Sequence, residues 1–118
     1  ASPAWQTPLP VPTVDRTNRR WKSDAFWRGD VWPSTNYQIA GGLAAYGHRE
    51  LAGAIADKTV ANAIRNGISE HYDAVTGAPL GIRDYCMSCT IATMMLDGLT
   101  REHRLAIRPE AGMKGRTT

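Results

Sequence analysis

The sequence predicts an all-α fold of about three helices set among long loops. Three observations carry that expectation. Residues 33–46 and 49–66 each repeat apolar side chains at the helical period, with only Gly47-His48 between them, the pattern of an antiparallel helical hairpin. A third periodic stretch, 86–99, follows without a partner helix of its own. The first thirty residues, by contrast, have no period at all. The chain therefore reads as a slice of a repeated helical-hairpin array.

The elements follow in order. Pro3, Pro8, Pro10 and Pro12 make an extended, polyproline-like opening. Trp21, Phe26 and Trp27 then fall without helical spacing, as in a loop packed on something larger. Residues 1–30 are thus an approach loop, 31–100 the helical hairpins and 101–118 a tail. The first helix begins near Trp32-Pro33-Ser34-Thr35-Asn36, carries Ile39, Ala40, Leu43 and Ala44 on one face, and ends at Gly47. Gly41-Gly42 inside it, about 1 kcal/mol each worse than Ala, suggest close approach of a neighbour or a ligand. The second helix keeps its period through Leu51/Ala52, Ile55/Ala56, Val60 and Ala63/Ile64 and stops at Gly67. Residues 68–81 are rich in turn formers and read as a loop. The third helix places Cys89, Ala92, Met95, Leu96 and Leu99 on one face, and Met94 and Met95 read as core. In the tail, Leu105-Ala106-Ile107 suggests a short strand before a frayed end.

Composition narrows the class. With 42% hydrophobic and 21% charged residues the chain is an ordinary globular one, expected to be soluble. No apolar run is long enough to cross a membrane. The opening residues are not an intact secretory signal and lack an initiator Met, as in a processed chain or one piece of a longer one. A net charge of +3 from scattered Arg residues shows no nucleic-acid pattern. Cys86 and Cys89 are spaced C-x-x-C, but His48, His71 and His103 do not complete a zinc site and no strand precedes the pair. Both read as small core residues, and neither a metal nor a cofactor is expected. The compartment stays open, with the cytoplasm slightly favoured.

Four stretches carry chemistry: Phe26-Trp-Arg-Gly-Asp-Val-Trp-Pro33, Asn36-Tyr37, Glu70-His-Tyr72 and Thr76-Gly-Ala-Pro-Leu-Gly81. They suit a sugar. Trp27, Trp32, Tyr37 and Tyr72 offer flat faces for the C–H side of a pyranose, and Arg28, Asp30 and Asn36 can bind hydroxyls. Glu70, flanked by rings, is a carboxylate suited to base work. Each has a plainer reading. Glu70 can be a solvated loop acid, Asp30 a helix N-terminal charge, Trp27 and Trp32 packing aromatics, and Arg28 a salt-bridge partner instead of a clamp for a substrate carboxylate. His71 reads as a packing or hydrogen-bonding residue, His48 and His103 as surface residues, and Asp73 and Asp84 as loop acids without special claim.

Trp27-Arg-Gly-Asp-Val-Trp32 resembles the W-R-G-x-[VI]-W motif of glycoside hydrolase family 63 and its helical-barrel relatives. The following N-Y…G-L…Y-G matches the same helix, and Ser69–Gly81 resembles the family's E-x-Y-[ND]-P-x-T-G-x-x-x-G segment. Tyr85-Cys-Met-Ser88 stands where the family often has F-S-W-[ST], and Leu9-Pro-Val-Pro-Thr-Val is similar to its approach loop. The resemblance covers roughly Pro10 to Leu99 and implies a partial (α/α)6 toroid. It implies inverting hydrolysis of α-glycosides, such as glucosylated N-glycans and glucosyl- or mannosyl-glycerate, without a metal. It also implies Glu70 as the general base. Trp27, Arg28, Gly29 and Trp32 become pocket wall, and Tyr72 stands beside the base.

Three departures matter. Asp30 fills a slot that is often Pro, Met87 replaces a usual Trp, and the family's general acid, an upstream Asp, has no counterpart here. Inversion needs two carboxyl groups about 6.5–9.5 Å apart. The acid, and the rest of the barrel, must then come from the same or a companion chain. Two further readings stand beside this one: a non-catalytic sugar-binding or interaction module that self-associates through its apolar faces, and a related barrel enzyme acting on trehalose-like disaccharides.

Overall fold

The computed structural model describes residues 2–101. Three helices and one small sheet make up the fold: α1 (Pro33–Ala45), α2 (Arg49–Asn66), β1 (Ser69–Tyr72), β2 (Pro79–Arg83) and α3 (Thr90–Leu96). Short 3-10 turns occupy Pro3–Trp5, Phe26–Arg28 and Cys86–Cys89.

The helical hairpin forms where the periodicity places it. Pro33 opens α1 with a φ already set for a helix. At the other end the His48 N–H bonds to Leu43 O at 2.8 Å and the Gly47 N–H to Ala44 O at 3.1 Å, a Schellman closure that turns the chain at once into α2. Glu50 in the first turn of α2 and Arg65 in its last suit the helix dipole. Ala52, Ile55, Ala56, Val60 and Ala63 are buried, while Leu51 and Ile64 at the edges of the stripe are exposed.

α3 closes the core against α2, with Ala56, Val60, Ala63, Ile91 and Met94 as the buried cluster and Tyr37, Met95 and Leu99 packed on it. Here the sequence reading needs correcting. The helix is shorter than 86–99, and the face it buries is centred on Ile91 and Met94. Cys89, Ala92 and Leu96 are exposed, and Cys86 and Cys89 are free thiols at the surface, not core residues. Residue 91 is β-branched and 94 long and flexible, so that pair fills the groove beside Val60 better than Cys89 and Ala92 would. Around Gly41 and Gly42, nothing described lies within 4 Å of where a Cβ would stand, so the close neighbour expected there is absent among the described residues.

The fold is also not all-α. The stretch 68–81, read as a loop, lies almost wholly in an antiparallel hairpin over 69–83, with Ser69 opposite Arg83, His71 opposite Leu80 and Tyr72 opposite Pro79. Its turn is closed locally. Asp73 Oδ1 accepts the N–H groups of Val75 (2.7 Å) and Thr76 (2.8 Å), and the Asp73 N–H reaches Ala78 O at 3.0 Å. Turn formers thus mark the bend of a hairpin here, with strands too short to show alternation. The suggested strand at 105–107 lies outside the described residues.

Candidate active site

Two segments far apart in sequence meet at one backbone pair. Val31 N–H bonds to Tyr72 O and Tyr72 N–H to Val31 O, both at 2.9 Å, an isolated antiparallel bridge. Leu9, Val31, Tyr72 and Ala74 form a second buried cluster around it. The bridge brings the Trp27–Trp32 stretch against His71, the neighbour of Glu70 in the strand.

On the loop side, Gly29 is required by packing. A Cβ there would stand 2.5 Å from Lys22 O, so only glycine lets the 21–22 segment close over the turn. Phe26 (φ +58°) holds a left-handed conformation costly for a bulky residue, and Asp24 (φ +62°) one that Asp tolerates. Asp30 stabilises that turn. Its carboxylate is fully buried and accepts the Ala25 N–H at 3.0 Å and the Phe26 N–H at 2.7 Å. Burial raises the Asp30 carboxyl above its ordinary value, against the opposing pull of the Phe26 N–H and of His71. His71 Nδ1 lies 2.8 Å from Asp30 Oδ2, a hydrogen-bond distance without a hydrogen-bond angle.

The rings form a column. Trp27 stacks on Trp32 at 4.0 Å with planes 3° apart, and Trp32 stacks on His71 at 4.7 Å and 16°. Phe26 stands edge-on to all three, at 4.9–5.7 Å. Trp32 in the middle is buried, whereas Trp27 keeps 51% of its surface exposed. Its uncovered area is the open aromatic platform. Trp32 Nε1 is buried without a hydrogen-bond partner among the described residues. Arg28 is exposed and makes no ion pair with a described residue.

On the strand side, Glu70 sits opposite a bulge. Between the pairs Ser69–Arg83 and His71–Leu80, Glu70 alone faces both Gly81 and Ile82. Gly81 has φ +71°, the glycine conformation that begins such a bulge. The bulge turns the Ile82 N–H onto Glu70 Oε2 at 3.1 Å. A Cβ on Gly81 would overlap Glu70 Oε2 and stand 2.9 Å from both Glu70 Cβ and His71 Nε2. Glu70 Oε1 has no hydrogen bond to a described residue.

Of the sequence candidates, the structure brings together Trp27, Arg28, Gly29, Asp30, Trp32, Glu70 and Tyr72. Asp30 and Tyr72 have no exposed surface. The Tyr72 hydroxyl donates to Gly67 O at 2.7 Å and accepts the Ser69 N–H at 3.1 Å, and burial raises its phenol. Asn36 is also fully buried. Its amide donates to Pro10 O (2.8 Å) and Thr59 Oγ1 (2.9 Å), and its carbonyl accepts the Val11 N–H (3.1 Å), joining the approach loop, α1 and α2. Tyr37 lies away, donating to Asp97 at 2.6 Å, a bond that raises its phenol. Met87, in place of the expected Trp, is 55% exposed. Sequence reasoning named Phe26 within its motif without a role, and missed the bulge at Gly81-Ile82 and the position of His71. The spacing from Thr76-Gly77 to Gly81 was the available sign of a bulged hairpin. No group of three or more potential metal-ligating residues occurs among the described residues.

The sequence model for the mannosylglycerate hydrolase MGH1-like glycoside hydrolase domain matches residues 1–88. The chain belongs to this family. It is 33% identical over 82 residues to the mannosylglycerate hydrolase of Thermus thermophilus, covering 70% of this chain and 20% of that protein. It is 32% identical to the mannosylglycerate hydrolase MGH1 of Selaginella moellendorffii, over 70% of this chain and 16% of the relative. The crystal structure of the GH63 mannosylglycerate hydrolase from Thermus thermophilus in complex with glucose superposes with a TM-score of 0.71 at 31% identity, over 75% of this chain and 23% of that one. The chain is thus a glycoside hydrolase family 63-like region that spans about a fifth of the length of the relatives it matches. No described helix is long and apolar enough to cross a membrane.

Proposed function

We propose that this segment supplies the base side of an inverting α-glycosidase. Glu70 takes the proton of the attacking water through Oε1 while Oε2 is held by the Ile82 N–H. A general acid from outside the segment protonates the leaving oxygen. The open face of Trp27 stacks on the sugar, and Arg28 beside it suits the carboxylate of a glyceryl aglycone, which makes mannosyl- or glucosylglycerate the first substrates to try. Gly29, Asp30, Trp32, Asn36 and Tyr72 hold this surface in shape from below. The observation that carries the proposal is the placement of Glu70. It is a half-buried carboxylate fixed at one oxygen by a bulge and joined to an open aromatic platform by the Val31–Tyr72 pair.

The remainder of a helical barrel, on the same or a companion chain, is proposed to cover Tyr46, Leu51, Ile64 and Leu96, all apolar and exposed here. A groove of about 480 Å³ between the approach loop and the helical hairpin includes Trp5, Pro8, Ile39, Leu43 and Leu51. It is lined by none of the candidate site residues and belongs with that packing surface.

Glu70→Gln in the assembled protein tests the proposal. Turnover of mannosylglycerate and glucosylglycerate should collapse while binding, followed by calorimetry, survives. Turnover equal to that of the unmodified protein would remove Glu70 from the base role. Sugar binding without turnover in the unmodified protein would point to the binding-module reading.

A further inference from the structure

His71 stands between the Asp30 carboxylate and the Gly81 backbone that Glu70 also packs against, and the base assignment leaves it without a task. Its Nδ1 is 2.8 Å from Asp30 Oδ2, on a carboxylate itself fixed by two backbone N–H groups. Its ring is clamped between the Trp32 face and the Phe26 edge, with only 8% of the side chain exposed. Its other nitrogen, Nε2, lies close against the Gly81 backbone, as Glu70 Oε2 does, both within 3 Å of where a Cβ would stand. Neighbours along a regular strand would point to opposite faces. Here, opposite the bulge, Glu70 Oε2 and His71 Nε2 both lie within 3 Å of where a Gly81 Cβ would stand, so the two residues bring polar atoms to one spot.

Resting on the assignment of Glu70 as base, we infer that His71 is a positioning residue for Glu70, anchored in turn by Asp30. The imidazole cannot rotate, because Asp30 and the ring column fix it on three sides. It therefore offers a rigid polar wall to Oε2, complementing the single N–H from Ile82. One oxygen of the carboxylate is then confined and the other left toward the attacking water. Packing alone would be served by any flat ring in the column; positioning needs the nitrogen.

The test uses His71→Phe, which preserves a flat ring against Trp32, and His71→Gln, which restores a polar nitrogen near the place of Nε2. Both are made in the assembled protein and assayed on mannosylglycerate and glucosylglycerate. A displacement of the base by about 1 Å costs about a hundredfold. The His71→Phe variant should therefore lower kcat by about ten- to a hundredfold with KM within about twofold, and His71→Gln should recover a large part of that loss. Unchanged kcat in His71→Phe, or a His71→Gln variant no better than it, overturns the inference and leaves His71 a packing residue. If His71→Phe does not fold, Asp30→Asn, whose single carbonyl oxygen keeps one of the two backbone N–H bonds while the carboxylate beside Nδ1 is removed, carries the test. It should show the same fall in kcat at constant KM, and an unchanged kcat again overturns the inference. Glu70→Gln in the same preparation separates the two claims. If Glu70→Gln stays active, the base assignment falls; if it is inactive while His71→Phe is fully active, only the positioning role falls.

Discussion

Replacing Gly81 by Ala should damage the site out of proportion to its size. The residue sits at φ +71°, where a side chain costs about 1–2 kcal/mol. Its Cβ would overlap Glu70 Oε2 and approach Glu70 Cβ and His71 Nε2 to 2.9 Å, so the carboxylate must move and its bond from the Ile82 N–H be lost. A hydrogen bond to a charged group contributes about 1.5–3 kcal/mol, discounted here because Glu70 is only half-buried. The total should be about 2–3 kcal/mol of stability, read as a lower urea midpoint at unchanged slope. A base displaced by about 1 Å should lower kcat about a hundredfold. Gly47→Ala is the control. It has a similar φ, +88°, but nothing described lies within 4 Å of its Cβ. It should show the backbone penalty of about 1–2 kcal/mol and no change in kcat. If Gly81→Ala is no less stable than Gly47→Ala and turns over within twofold of the unmodified protein, the bulge does not hold Glu70.

Asn36→Leu should cost about 2–4 kcal/mol in urea unfolding, because it leaves Pro10 O and the Val11 N–H without their side-chain partner at the junction of loop and helices. Stability no lower than that of an exposed control such as Gln38→Leu would refute this. The Asp30 carboxyl is raised above its ordinary 3.8, so the folded state holds that proton more tightly than the unfolded state. Its contribution to stability is therefore greatest below 3.8 and declines as pH climbs from there through the folded value. The stability difference between the unmodified protein and Asp30→Asn should shift toward the variant over that climb. A difference independent of pH would contradict the burial argument.

The helical hairpin was legible because its cause is local: Gly47-His48 interrupts a strong period, and Pro33 and Gly67 bracket it. The limits of α3 were not legible, since 86–99 contains two candidate apolar stripes and only the groove offered by α2 selects Ile91 and Met94. The hairpin at 69–83 was hidden by its brevity, with Asp73, Thr76 and Gly77 signalling a bend but too few flanking residues to show alternation. In the site, Glu70 and the Trp27–Trp32 motif were found through the family resemblance. The shared position of Glu70, His71 and Gly81 could not be, because it depends on a register shift that spacing alone does not reveal. Asn36 and Tyr72 were expected to face a sugar. Their polar atoms instead bind backbone and Thr59, partners that exist only after the loop, α1 and β1 have met.

The Val31–Tyr72 pair has a consequence for how the region can change. Everything between those residues, both long helices included, is one closed excursion that leaves from the aromatic platform and returns to the strand of Glu70. The entropy of closing such a loop grows only with the logarithm of its length, about 0.6 kcal/mol per doubling. Residues added at the Gly47-His48 corner therefore fall outside the clasp and weigh little against it. Sequence drift in the helices can reshape their outer surface, while the two ends of the excursion keep the Trp27–Trp32 stretch and the Glu70–Tyr72 strand in register.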